Sequence, residues 1–459
     1  MSDAPLKKSS LLAYVLPGAP IAALGLPIVV YLPPFYAQDM GLGLGLVGTI
    51  FMIARFWDVI TDPLMGVLSD RFPSRWGRRR HWIVLAVPIL IACVYMVFMP
   101  PETFLGSPIS GGYLLFWMLL LYIGYTLITI SHLSWGAELH PDYHERSRIQ
   151  GWREVAVVAG MVAALALPAL IDRVAADGEA GMSRVAAMGW FIILAMPPAV
   201  LIAVSCVSER PQPKRPATKI PLGQTLRIIV TNKPLQKLVS ADLLAGLATG
   251  ATGSLFIFFV SHVIGLGHLA SALLLLYFIT GCVAAPIWIK LSYRVGKHRA
   301  LAIATMCRMV FAIMILFAPT GNILAAAILF ALFGSTYAAA PFLLRSIIAD
   351  VADHDEAQSG VQRTGLYYSL LTLTNKIGHA LAVGVTYPLI EWIGFEATGM
   401  NSKETLNAFT AIFIGFPIIC EIVLIAAIWN FPIDAAAQAQ TRQILEQRRR
   451  AALGDGRAD

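Results

Sequence analysis

Charge is scarce in this chain: Asp, Glu, Lys and Arg make up only 13% of its 459 residues, while 57% are hydrophobic. A soluble domain carries about 25% charge and about 45–50% apolar residues, so a single soluble core is excluded. Cysteine is rare too. The five thiols, Cys93, Cys206, Cys282, Cys307 and Cys420, lie far apart with no Cys-x-x-Cys spacing, which argues against a zinc or redox centre and for buried, inert thiols. No small-residue cleavage site follows Lys7 and Lys8, and Pro17, Pro20 and Pro27 interrupt the apolar stretch behind them. That stretch reads as a retained first span, not a signal peptide. The apolar runs hold no nucleophile–base pair and no His-x-x-x-His, so neither an enzyme nor a resident metal or cofactor is expected. Ten-residue alternating segments, the mark of a membrane barrel, are missing as well.

What is present is long apolar runs, with a mean hydropathy of +0.70 over the chain. They fall at 11–36, 43–69, 81–100, 111–137, 151–172 and 186–207, then at 235–262, 266–290, 299–318, 322–346, 364–392 and 405–431. Each is long enough to cross ~30 Å of hydrocarbon, and each must be helical because lipid offers the backbone no other partner. The expected fold is an all-α integral membrane protein of twelve transmembrane helices.

The polar stretch 208–234, with Pro211, Pro213, Pro216 and Pro221 among basic residues, divides the runs six and six. The expected parts are a first bundle over 1–207, a linker over 208–234, a second bundle over 235–431 and a solvated basic tail over 432–459. A weak repeat supports the division: Leu68-Ser69-Asp70-Arg71 … Gly77-Arg78 is echoed by Leu291-Ser292-Tyr293-Arg294 … Gly296-Lys297. Paired halves of this kind are the pattern of major-facilitator transporters.

The net charge of +7 is gathered in alternate loops, not in a patch that would suit nucleic acid. Arg71, Arg75 and Arg78 to Arg80 follow the second span, and Arg294, Lys297 and Arg299 follow the eighth, whereas the opposite loops offer little beyond Arg173, Arg184 and Lys403. The basic loops place both termini in the cytoplasm. The bilayer and a small solute are the expected partners, and the chain is expected to be a monomer.

Charges inside spans cost at least ~2.5–3.5 kcal/mol each on insertion scales, so they point to chemistry. The second span reads Arg55-Phe56-Trp57-Asp58-Val59-Ile60-Thr61-Asp62. Helical spacing puts Arg55, Asp58 and Asp62 on one stripe. Two carboxylates one turn apart in a poor dielectric cannot both stay ionised without a cation between them or a proton on one. From the residues alone the stripe is either a coupling-ion site or an Arg55–Asp58 structural pair with Asp62 capping the turn. The fourth span offers Tyr122, Tyr125, Thr126, Thr129, His132 and Trp135, which suit either a polar cavity wall or interhelical hydrogen bonds. In the eleventh, Lys376 lies about three turns deep, with Thr372 one turn back and Asn375 beside it. Arg308, Asp242 and Glu421 are less informative; the last two read as near membrane ends, where a lone charge is usually structural. Asp70, Arg71 and Arg75, with Asp350 and Asp353 in the loop after the tenth span, are charges near helix ends that could lock the halves together.

The run Arg55 to Arg71, followed by Ser74-Arg75-Trp76-Gly77-Arg78-Arg79-Arg80, resembles the hallmark of the glycoside–pentoside–hexuronide:cation symporters. Two further stretches agree: Asp142-Tyr143-His144-Glu145-Arg146-Ser147-Arg148, and Ala349-Asp350-Val351-Ala352-Asp353 … Gly360 … Arg363 … Gly365. The resemblance covers about residues 14–430 and implies a major-facilitator fold of two six-helix bundles in a bacterial inner membrane. It also implies that Asp58, Thr61, Asp62 and Thr126 bind the coupling Na⁺ or H⁺. Arg153, Thr372 and Lys376 match positions for substrate or coupling, and Tyr125 a cavity wall; Arg55, Thr129, His132, Trp135 and Asn375 are grouped with them, and Arg363 with the gating charges. Melibiose-type members grip sugar hydroxyls with acids where this chain has Ala22 and Thr129. The implied cargo is a sugar, glycoside or uronide, with a lysophospholipid-like amphiphile, or proton-driven export, as the alternatives.

Overall fold

The computed structural model describes residues 6–72, 74–77, 79–101, 103–104, 107–139, 143–171, 180–209, 230–360, 364–434, 436–441, 443–445 and 447. They are almost entirely helical. The first half runs α1 (Lys8–Val15), α2 (Gly18–Val30), α3 (Leu32–Gln38), α4 (Leu44–Arg71), α5 (Arg80–Phe98), α6 (Gly111–Glu138), α7 (Tyr143–Ile171) and α8 (Ala180–Cys206). The second runs α9 (Lys233–Phe258), α10 (Ala270–Val295), α11 (Lys297–Ile315), α12 (Ile323–Gly334), α13 (Ala339–Ser359), α14 (Thr364–Trp392) and α15 (Lys403–Ile428). A two-stranded ribbon, Thr103–Phe104 with Ser107–Pro108, joins α5 to α6.

Each of the twelve apolar runs is helical, and two of them are broken. Proline ends α1 at Pro17, since its ring forbids the next helical hydrogen bond, so the first run becomes α1 to α3. The tenth is broken by the turn at 335–338 into α12 and α13. Among the described residues ten helical stretches are long and apolar enough to cross a membrane, with Val155–Leu170 a shorter apolar helix within α7. The two runs that fall short, α7 and α14, are those that carry Arg153 and Lys376. Val283, Phe317 and Leu324 are each more than 70% exposed, which suits hydrocarbon and not water.

Two sequence expectations are corrected here. Asp350, Asp353, Asp355 and Glu356 lie on α13 and not in a loop. The apolar face of Ile347, Ile348, Val351 and Ala352 continues past the expected end, and the helix stops only where Gly360 takes a left-handed φ of 71°. The tail is not simply solvated either. Asp434 caps a short helix over 436–441 by accepting from the Ala437 amide at 2.8 Å. Ile433, Gln438, Thr441 and Leu445 are buried, Gln438 donates to Asp353 at 3.0 Å, and His354 meets the Thr441 hydroxyl at 3.3 Å.

By contacts the chain forms two compact units. The first is Met1–Pro216 with Gly253–Leu275 and Val383–Phe409; the second is Ala217–Thr252 with Leu276–Ala382 and Thr410–Asp459. In the first, α6 packs on α4 and α5, and α2 on α7. In the second, a core of Leu238, Ala241, Leu343, Ile347, Tyr367 and Leu424 joins α9, α13, α14 and α15.

Candidate functional site

The acidic stripe on α4 faces α6. Asp58 and Thr61 are buried, as is Thr126 opposite them. Thr126 Oγ1 lies 2.9 Å from Asp58 Oδ1 and 3.1 Å from Asp62 Oδ1. A hydroxyl has one proton to give, so it can serve only one of the two carboxylates at a time. The other turns to its remaining neighbours, of which Arg55 is one for Asp58, or to a proton or cation. Those two distances hold the carboxylate oxygens within about 6 Å of each other, where two ionised carboxylates repel by about 3 kcal/mol at an effective dielectric of about 20, so added positive charge is favoured there. Thr61 Oγ1 donates back to the Asp58 carbonyl at 3.2 Å, which leaves its lone pairs beside the acids.

Arg55 approaches the outer carboxylate oxygen. Its NH1 is 3.5 Å from Asp58 Oδ2, at the limit of a hydrogen bond, and its guanidinium lies 5.5 Å over the Tyr122 ring. The stripe thus carries a long, weak ion pair on one edge of Asp58 and a convergent cluster of oxygens on the other.

The remaining expected residues separate. His132 and Trp135 are turned to α1: His132 stacks on Tyr14 at 4.6 Å, exchanges hydrogen bonds with its backbone and hydroxyl at 2.8 and 3.0 Å, and Trp135 meets the same ring edge-on. Arg153 on α7 passes Gly18 of α2, where a Cβ would touch its side chain at 3.8 Å. Tyr125 aims its hydroxyl at Gly25 of α2, 3.1 Å from where a Cβ would stand. Thr129 has a buried hydroxyl without a partner among the described residues.

In the second unit, Thr372 is exposed and donates to the Tyr368 carbonyl at 3.0 Å, while Asn375 and Lys376 are half-buried. Beside them sequence reasoning missed Asp242. It is 4% exposed rather than at a membrane end, it accepts from Thr374 at 2.8 Å, and Asn375 bonds it too. The signal that could have found it is the Gly246-x-x-x-Gly250 spacing on the same helix, which announces a close helix neighbour.

Of the charges near helix ends, Asp350 pairs with Lys297 at 2.5 Å and Asp353 accepts from Gln438. Arg75 is exposed in the turn closed by Ser74 and Gly77. Asp70 and Arg71 close α4, but their side chains lie outside the described residues, as does all of Arg363. Pairs not foreseen are Arg79 with Glu138 at 2.9 Å, and Glu209, which accepts from the Arg79 and Arg80 amides at 2.7 and 2.5 Å.

A family model described as MFS/sugar transport protein matches residues 13–435. The chain belongs to that family, among its glycoside–pentoside–hexuronide:cation symporters. This symporter-family chain is 25% identical over 438 residues to the putative glycoside/cation symporter YagG of Escherichia coli, covering 93% of this chain and 92% of that one. It is 24% identical to the mouse sodium-dependent lysophosphatidylcholine symporter 1, over 99% and 92% of the two chains. Its fold matches the crystal structure of the nucleoside transporter NupG with a TM-score of 0.68 at 12% identity, over 92% and 99% of the chains. It is a multi-pass membrane protein of the major-facilitator type, and the members of its family are transporters.

Proposed function

We propose that this chain is a cation-coupled symporter whose ion site is Asp58, Asp62, Thr126 and Thr61, and whose cargo is a sugar, glycoside or uronide. The observation that carries the ion site is the single Thr126 hydroxyl shared by two carboxylates. Hard oxygen donors of this kind suit Na⁺, and the same pair can hold a proton. The bound charge offsets the acids and stabilises a closed, loaded state, so that ion and cargo together shift the population between open forms. The reading places two six-helix halves, over 1–207 and 235–431, about the linker 208–234, of which 210–229 lie outside the described residues. It also places both termini in the cytoplasm of a bacterial inner membrane and has the chain act as a monomer that makes and breaks no covalent bond.

The cargo reading rests on family and on Thr129. An unpartnered buried hydroxyl suits a sugar hydroxyl, and it stands where melibiose-type members use an acid. Arg153 and Lys376 match the family's substrate or coupling positions, and a uronide is the cargo whose charge would suit either cation. Proteoliposomes with imposed sodium or proton gradients, offered labelled sugars, uronides and lysophosphatidylcholine, test both parts. One carbohydrate should accumulate under one gradient, and Asp58→Asn should end that accumulation. Accumulation of lysophosphatidylcholine alone would replace the carbohydrate reading, and gradient-driven uptake surviving in Asp58→Asn would remove the ion site.

A further inference from the structure

A second pair of buried charges lies in the second unit, on helices other than α4. Arg308 on α11 is 7% exposed and Glu421 on α15 is 3% exposed, with Arg308 Nε 2.9 Å from Glu421 Oε1. The approach is poorly aligned, since Nε makes no hydrogen bond. The other two guanidinium nitrogens are directed to α9, each 3.3 Å from a hydroxyl, NH1 to Thr249 and NH2 to Thr252. The Phe333 ring of α12 lies 5.3 Å from the guanidinium carbon. Glu421 therefore faces a cation that it shares with two hydroxyls and a ring, through a close but misaligned approach. Among the described residues no donor makes an aligned hydrogen bond to its carboxylate.

A buried carboxylate in this condition is costly. Ion pairs in such sites are often replaceable by apolar side chains at little loss of stability, so stability alone gives no reason for the pair. Beside it lies a small cavity of about 20 Å³, walled in part by Thr305, Thr336, Arg308 and Glu421. Both threonine hydroxyls donate to nearby backbone, to the Leu301 and Phe333 carbonyls, so their lone pairs remain for a guest. A cavity needs about 10–15 Å³ and two to four polar partners to hold one water. This one meets both conditions, with Nε as donor and three oxygens as acceptors.

We propose that Glu421 is a proton-binding site of the second half, separate from the ion site on α4, and that one water in the adjoining cavity carries the proton to it. Protonation removes the negative charge beside Arg308 and leaves the guanidinium to Thr249 and Thr252 on α9. The ionisable groups that face Glu421 are Arg308 on α11, Tyr277 on α10 and Cys420 on its own helix, with Tyr337, in the turn before α13, beside Arg308. Neither Tyr nor Cys supplies a second positive charge, so the pair is a one-to-one balance that a single proton tips. The consequence is a transport cycle that senses pH through the second half even when the ion on α4 is sodium.

The test uses the full-length purified protein. Infrared difference spectra recorded across the neutral pH range report the carbonyl stretch of a protonated carboxyl group. Wild type should show a titrating band that Glu421→Gln abolishes and that the double variant Asp58→Asn/Asp62→Asn retains. A band unchanged in Glu421→Gln overturns the proposal. If Glu421→Gln does not fold, Arg308→Met/Glu421→Leu removes both charges while keeping the volume filled, and the same loss or persistence of the band decides. Stabilisation of the protein by sodium, read as a rise in Tm, is lost in Asp58→Asn and kept in Glu421→Gln if the two sites are separate. Its loss in Glu421→Gln would refute that separation, whereas its absence from wild type would count only against sodium at the α4 site.

Discussion

Thr126 gives the sharpest test of the α4 site, because its hydroxyl lies within hydrogen-bond distance of both acids. Thr126→Val keeps the shape and removes the donor. A hydrogen bond to a charged group is worth about 1.5–3 kcal/mol, so the cation concentration for half-maximal uptake should rise about tenfold to a hundredfold, while Thr126→Ser stays near wild type. Equal behaviour of the two variants would take Thr126 out of the site. Lys376 yields a second prediction at this scale. It is half-buried on α14 near the buried Asp242, and Lys376→Ala should reduce accumulation of the cargo while leaving cation binding intact, as judged by sodium-dependent stabilisation. Normal accumulation would make it a structural charge. The acids of α4 were legible in the sequence because helical spacing alone fixes them on one stripe. Their relation to Thr126 was not, since no periodicity says which span lies opposite; the family resemblance supplied it. His132 and Trp135 show the opposite case. Their spacing on α6 fitted a cavity wall, yet both are engaged by Tyr14, a partner from a distant span that no local pattern announces.

At the scale of elements, close helix packing is set by small residues whose replacement has a predictable sign. A Cβ on Gly378 of α14 would stand 2.5 Å from the Leu243 carbonyl oxygen and 3.0 Å from the Gly246 Cα of α9. Backbone atoms cannot turn aside as a side chain can. Gly378→Leu should push α9 and α14 apart and cost about 1–3 kcal/mol, seen as a lower Tm in detergent, whereas Gly415→Ala on α15 meets nothing within 4 Å and should leave Tm nearly unchanged. Most of the element plan could be read in advance, because runs that must cross ~30 Å of hydrocarbon leave little freedom in length. What escaped were ends lying in water. There α13 runs past the apolar run, and the tail packs on it through Gln438 and Thr441. Polar residues at such ends look solvated in sequence and find partners only in three dimensions. Glu421 escaped for the same reason, its cation lying on another helix.

On the scale of the whole molecule, the compact units do not follow the six-and-six division of the apolar runs, because the first unit takes 253–275 and 383–409 from the second half. Inside that unit α4 and α14 touch closely. A Cβ on Gly48 would stand 2.7 Å from Tyr387 Cβ, and one on Gly384 would stand 2.9 Å from Met52 Cβ. If both termini are cytoplasmic, this contact lies toward the opposite face of the membrane, where a transport path would have to open. Alternating access then requires it to separate once per cycle, and small residues make that possible by allowing a tight seal without interlocked side chains. The pair Met52→Cys/Gly384→Cys, in a background without the five native cysteines, tests the requirement. Disulfides need Cβ atoms about 3.5–4.5 Å apart, within reach after a small relaxation. Oxidation should cross-link α4 to α14 and stop transport, and reduction should restore it, while cation binding at Asp58 and Asp62 continues in the locked form. Transport that proceeds with the disulfide intact would mean that this contact is permanent scaffolding and that the path opens elsewhere.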